Sequence, residues 1–130
     1  MAMALQEMTR LVIFLALVAV VVSAAQLPFD GTFIDVKNDC PRKISAGMPA
    51  GPNSYEIQAY GSDPKGGDDN VQCSSDPNDL DAWGPVQGRA NATDIIVNFE
   101  PKGGPIISGV WDDASSSIKW ADGNSWTKNN

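Results

Sequence analysis

The chain has 130 residues, with 16 acidic against 9 basic side chains, no histidine and a net charge of −7. That balance argues against a nucleic-acid partner, because phosphate binding needs a basic surface. Without histidine there is no Cys–His nucleophile pair and no Cys/His zinc site.

The first element is the apolar run at positions 11–22, Leu-Val-Ile-Phe-Leu-Ala-Leu-Val-Ala-Val-Val-Val, with Arg10 before it and Ser23-Ala24-Ala25 after it. A charged start, a short apolar stretch and small residues form the pattern of a cleaved export signal. The run is too short to cross roughly 30 Å of hydrocarbon comfortably. The expectation is a signal peptide over 1–25, cut after Ala24 or Ala25, and a mature chain over 26–130 that is secreted or held in the lumen of the secretory pathway. Losing Glu7 and Arg10 together leaves the charge unchanged. No basic run suits anionic lipid, and no stable membrane insertion of the mature chain is expected.

The mature part has the size of one small domain. Its two cysteines, Cys40 and Cys73, are an even pair with no third partner. In an oxidising compartment they most simply form one disulfide, worth roughly 3–4 kcal/mol in the chain-entropy model.

Short β-like runs follow one another, separated by Gly, Pro, Asn and Asp. They are Gly31–Val36, a run near Arg42–Ser45, and Ser54–Tyr60, where Tyr55, Ile57 and Ala59 share one face. Residues 61–81 read as a long acidic surface loop containing Cys73. Trp83–Gly88 is only weakly β-like, because Gly84-Pro85 interrupts it. Asn91-Ala92-Thr93 is an N-glycosylation sequon at an expected turn. Asp94–Glu100 alternates again, with Ile95, Val97 and Phe99 on one side. Pro101-Lys-Gly-Gly-Pro105 reads as a turn, Ile106–Trp111 as a strand, and Ser117–Ala121 as the next, closed by Asp122-Gly123. If that hairpin pairs Trp111 with Ile118, then Trp111, Ile118 and Trp120 share a face. No sustained 3.6-residue apolar period occurs after residue 26. The fold expected is all-β: a small antiparallel meander that closes into a barrel or a sandwich.

The C-terminal third resembles a family of small secreted or lumenal β domains of algae and other protists. The resemblance lies in Ile95-Ile-Val-Asn-Phe-Glu-Pro-Lys-Gly-Gly-Pro105, Gly109-Val-Trp-Asp112 and Ile118-Lys-Trp-Ala-Asp-Gly-Asn-Ser-Trp-Thr-Lys128. Upstream, Gly31-Thr-Phe-Ile-Asp35 and Cys40-Pro-Arg42 fit as well. Asn98 departs from the pattern, which has Asp there. The resemblance implies a compact exported β domain and supplies no catalytic residue or ligand.

Carboxylates are the plentiful reactive groups. Asp63, Asp68, Asp69, Asp76, Asp79 and Asp81, with Asn78, gather hard oxygens in a short stretch. Calcium is therefore a candidate cofactor, although the EF-hand spacing is absent. Asp112, Asp113 and Asp122 lie near tryptophans and could be cast as the carboxylate pair of a glycan hydrolase. Turn-forming aspartates beside core rings is the plainer reading. Trp111 and Trp120 are expected in the core. Trp83 and Trp126 are the candidate ligand-binding rings at the surface, with a glycan among the candidate partners. The reading is a secreted, non-enzymatic β domain that binds an unidentified ligand or protein. The alternatives are a small-molecule carrier barrel and a carboxylate-based glycan hydrolase.

Overall fold

Two-residue alternation, repeated between turn residues, produces strands, and in this chain the strands close on themselves. The computed structural model describes residues 27–66 and 70–129, so the expected signal peptide lies outside the described residues. The strands are β1 (Gly31–Asp35), β2 (Pro41–Gly51), β3 (Ser54–Pro64), β4 (Leu80–Ala90), β5 (Asp94–Asn98), β6 (Ile106–Asp112), β7 (Ser117–Trp120) and β8 (Ser125–Lys128). Each pairs antiparallel with its neighbour in sequence, and β8 pairs back onto β1. The choice between barrel and sandwich is thus settled as a closed eight-stranded barrel. Closure leaves no free sheet edge.

Eight strands make a barrel whose interior side chains can just fill it. Phe33, Ile44, Ile57, Val86, Ile95, Val97 and Ile118 do so, each almost wholly buried. Burying a side chain of this size contributes ~1.5–3 kcal/mol, so this belt is the main source of stability. Close packing also requires a small residue on the wall. A Cβ at Gly109 would come within 2.8 Å of Ile118 and 2.9 Å of Trp120.

The meander gives the barrel two unlike ends. Phe29 enters one end fully buried, and its ring meets Trp111 edge-on at 6.0 Å. Lys128 Nζ donates to the Pro28 carbonyl there at 2.8 Å, fastening the N-terminal segment. The connections β1–β2, β3–β4, β5–β6 and β7–β8 all lie at the other end. The Cys40–Cys73 disulfide joins the first two of these connections, with a Cα–Cα distance of 5.0 Å. The Cys73 amide also donates to the Asn38 carbonyl at 2.8 Å.

Four expectations from the sequence need correction. The loop read over 61–81 is shorter, because β3 continues to Pro64 and β4 begins at Leu80, with Asp63 opposite Asp81. Polar residues sustain the ladder there because the barrel end is open to water, so no apolar face is needed. The weak run around Trp83 is in fact part of a strand of 11 residues. Trp126 is only 5% exposed rather than a surface ring. It lies on β8, opposite both Ile118 and Asp35, and barrel closure turns it inward. Trp111 does pair with Ile118 as expected. It is half-buried rather than core, since its Nε1 reaches out to Asp113 at 2.7 Å.

Candidate functional site

Strand parity places two charged residues where apolar ones would ordinarily stand. Asp35 follows Phe33 on the inward face of β1, and Arg42 precedes Ile44 on the inward face of β2. Both are buried. Burying a charge is costly unless it is paired and hydrogen-bonded, and here the pairing is dense. Arg42 Nη2 donates to Asp35 Oδ2 at 3.0 Å and to Asp63 Oδ1 at 2.9 Å. Its Nη1 donates to the Ser62 carbonyl at 2.7 Å and to the Pro41 carbonyl at 3.2 Å. Asp35 Oδ1 accepts from the Lys37 amide and from Asn124 Nδ2, each at 2.9 Å.

Lys102 completes the cluster. Its Nζ donates to Asp63 Oδ2 at 2.9 Å and stands 4.3 Å from the centroid of the Trp83 ring. Burial by itself would raise the Asp63 carboxyl. The Lys102 hydrogen bond and the positive charges of Arg42 and Lys102 outweigh it and hold that carboxyl below the usual aspartate value.

Trp83 reaches the site through a bulge. Ala59 pairs with Val86, but the next inward pair is Gly61 with Trp83, so Gly84 and Pro85 together oppose Tyr60. The extra residue reverses the parity of β4 and swings the indole from the outside of the barrel to the inside. Gly61 is needed opposite it, because a Cβ there would overlap the Trp83 ring. The Arg42 guanidinium carbon then lies 5.4 Å from the Trp83 centroid and 5.6 Å from that of Trp126, within cation–π range. Phe99 stands at the centre of the rings, edge-on to Trp83, Trp120 and Trp126 at 5.8–6.1 Å.

The two turns with the clearest sequence signatures form the rim. At Pro101-Lys-Gly-Gly-Pro105 a short 3-10 turn, Glu100–Lys102, is capped by Gly103, whose φ of 91° suits glycine. Asp122-Gly-Asn124 forms the other, held by Asn124 on Asp35. Between these turns and the ring cluster lies a half-enclosed cavity of about 510 Å³. Its volume is in the range of small-molecule sites. Among the described residues, three buried side-chain nitrogens have no acceptor: Arg42 Nε, Trp83 Nε1 and Trp120 Nε1. All three belong to residues that line this cavity.

The candidates read from sequence are only partly gathered here. Trp83, Trp126, Asp63 and Asp122 line the cavity. Asp112 and Asp113 are at the far end of β6, where they accept from Ser115 Oγ and Trp111 Nε1. Of the acidic stretch, Asp63 has both oxygens engaged by Arg42 and Lys102. Asp76 caps the short helix Pro77–Asp79, and Asp79 accepts from Ser74 Oγ. Asp81 is exposed on β4, while Asp68 and Asp69 lie outside the described residues. Among the described residues, no group of three or more carboxylates or cysteines is placed to hold a metal. Asn91 is at the plugged end, its Oδ1 accepting from the Thr93 and Asp94 amides at 2.9 and 2.7 Å. Sequence reasoning missed Asp35, Arg42, Lys102, Phe99 and Trp120 as parts of the site. For Asp35 and Arg42 the signal was present, as charges at inward positions of otherwise apolar strands.

No family model matches the chain, and comparisons with curated proteins and with solved structures give no match either.

Proposed function

We propose that this chain is an exported, non-catalytic binding barrel that seats a small ligand at the mouth framed by Trp83, Phe99, Trp120 and Trp126. The carrying observation is the asymmetry of the interior. The belt is filled and one end is plugged by Phe29, whereas the other end keeps a cavity of about 510 Å³ over aromatic rings and a buried ion cluster. A filled belt favours seating at the mouth over the deep enclosure of a carrier barrel. Hydrolysis is disfavoured because Asp112 and Asp113 lie at the plugged end while Asp122 lines the mouth, so these carboxylates do not flank one bond. The disulfide and the apolar run at 11–22 support export. Among the described residues no helix is long and apolar enough to cross a membrane. The Asx turn at Asn91 leaves the sequon on the end away from the mouth, so a glycan there would not obstruct it.

A thermal-shift screen of small neutral and charged compounds tests the reading. Binding at the mouth predicts hits whose stabilisation is lost in Trp83→Ala and kept in Trp111→Phe at the opposite end. Hits that ignore Trp83 would contradict it.

A further inference from the structure

The mouth already holds a guest, and that guest is part of the chain. The Lys102 ammonium stands 4.3 Å from the centroid of the Trp83 ring and donates to Asp63 Oδ2 at 2.9 Å. An indole face is the negative pole of its ring and attracts a cation, while the carboxylate accepts a charge-assisted hydrogen bond. Ring and carboxylate together make a seat for a primary ammonium.

The cations on either side of Asp63 are held very differently. The Arg42 side chain is 5% exposed and donates to two carboxylates and two carbonyls. It is part of the wall. The Lys102 side chain is 28% exposed and comes from the rim turn rather than from a strand. An ion pair that water reaches is weakly held. Arg42 and Lys102 also use different oxygens of Asp63, so Lys102 can swing out to solvent without unmaking the Arg42 pairs.

The departure of Lys102 defines what can replace it. Asp35, Asp63 and Asp122 line the cavity with Lys37, Arg42 and Lys102. With Lys102 withdrawn, three negative charges face two positive ones, and an incoming monocation restores the balance. An anion would be repelled by the ring face and by the carboxylate. A neutral compound would leave Asp63 one counter-charge short. Beyond the ammonium seat, Phe99, Ile107, Trp120 and Trp126 line the cavity and suit an apolar body.

We propose that the mouth takes a small primary amine with an apolar body, bound as its ammonium, and that Lys102 is the internal occupant it displaces. This proposal rests on the reading of the mouth as a ligand site.

Three probes that share one body and differ in charge test it: phenethylamine, protonated at neutral pH, phenethyl alcohol, neutral, and hydrocinnamate, anionic. Each is titrated into labelled protein while the indole N–H and Lys102 side-chain resonances are followed. In the free protein the Lys102 Hε protons should lie upfield, shielded by the Trp83 ring. Phenethylammonium is expected to return them to the ordinary lysine position while it shifts the Trp83 indole. It should bind at least about tenfold more tightly than either other probe. Lys102→Ala empties the seat and should tighten phenethylammonium by about tenfold or more, because the competing occupant is gone. Adding Asp63→Asn to Lys102→Ala should undo that gain. If the alcohol or hydrocinnamate binds as tightly as phenethylammonium, the ligand class is wrong while the mouth remains a binding site. If phenethylammonium binds the unaltered protein and Lys102→Ala alike, or leaves the Lys102 protons in place, Lys102 is not a displaceable occupant and the proposal falls. If no probe moves the Trp83 indole even in Lys102→Ala, the reading of the mouth as a ligand site falls with it.

Discussion

At the end where Phe29 enters, the barrel is closed by an aromatic plug, with Phe29 against Trp111 and the Lys128 ammonium 5.9 Å from the Trp111 centroid. At the end where Arg42 stands, four charged side chains and a cluster of rings leave the closure incomplete. The same ladder of paired strands runs into both. An apolar plug needs only shape. The polar mouth needs every partner, since removing one side chain strands the others. An eight-stranded barrel could be stable with both ends plugged, so the costly end is the one that calls for a functional explanation.

The largest expected effect follows from that dependence. Arg42→Met leaves Asp35 and Asp63 without their shared counter-charge. Losing one partner of a buried pair typically costs about 3–5 kcal/mol, enough to threaten a domain of ordinary stability. Denaturant unfolding should show a loss of that size, and Arg42→Met with Asp35→Asn should recover part of it. A near-neutral single variant would mean that the cluster is solvated.

Phe29→Ala should come close behind, at about 3–5 kcal/mol for a fully buried aromatic side chain. It should leave the mouth indole resonances where they are. If those resonances shift, the two ends are coupled and the contrast between them fails.

Cys40→Ser should cost about 2–5 kcal/mol, the usual range for a native disulfide in a small exported domain. The bridge ties the β1–β2 and β3–β4 connections, so amide exchange should quicken first at the mouth. Equal loss of protection at both ends would show that the bridge acts on the unfolded chain alone.

The smallest effect is electrostatic. Asp63 has a folded-state pKa below its unfolded value, so its contribution is complete above about pH 4. It is lost as pH falls through the depressed folded value. Asp63→Asn should therefore flatten the acid limb of the stability profile. An acid limb identical to that of the unaltered protein would remove Asp63 from the cluster's energetics.

Much of this architecture was legible in the sequence because it is local. Period-two alternation in Ser54–Tyr60 and Asp94–Phe99 marked inward faces correctly, and the Trp111–Ile118 pairing followed from the intervening turn. The cysteine pair was legible by elimination. The errors arose where distant segments decide the outcome. Trp126 belongs to a four-residue run whose burial depends on β1, 91 positions earlier in its register with Asp35. Trp83 reaches the interior only through the bulge at Gly84-Pro85, read from sequence as an interruption. The acidic stretch looked like a cation site because Asp63 could not be seen to meet Arg42 and Lys102. Asp35 and Arg42 lie within recognisable sequence motifs, yet the mouth they form appears only when four connections converge.

The most direct test of the contrast between the ends is backbone amide chemical-shift mapping with a ligand found by screening. The account predicts perturbations concentrated at Lys37, Lys102–Gly104 and Asp122–Asn124, around the cavity mouth. Perturbations centred instead on Phe29, Trp111 and Asp113, or on the exposed Ile96, Ile106 and Val110 of the outer wall, would contradict it.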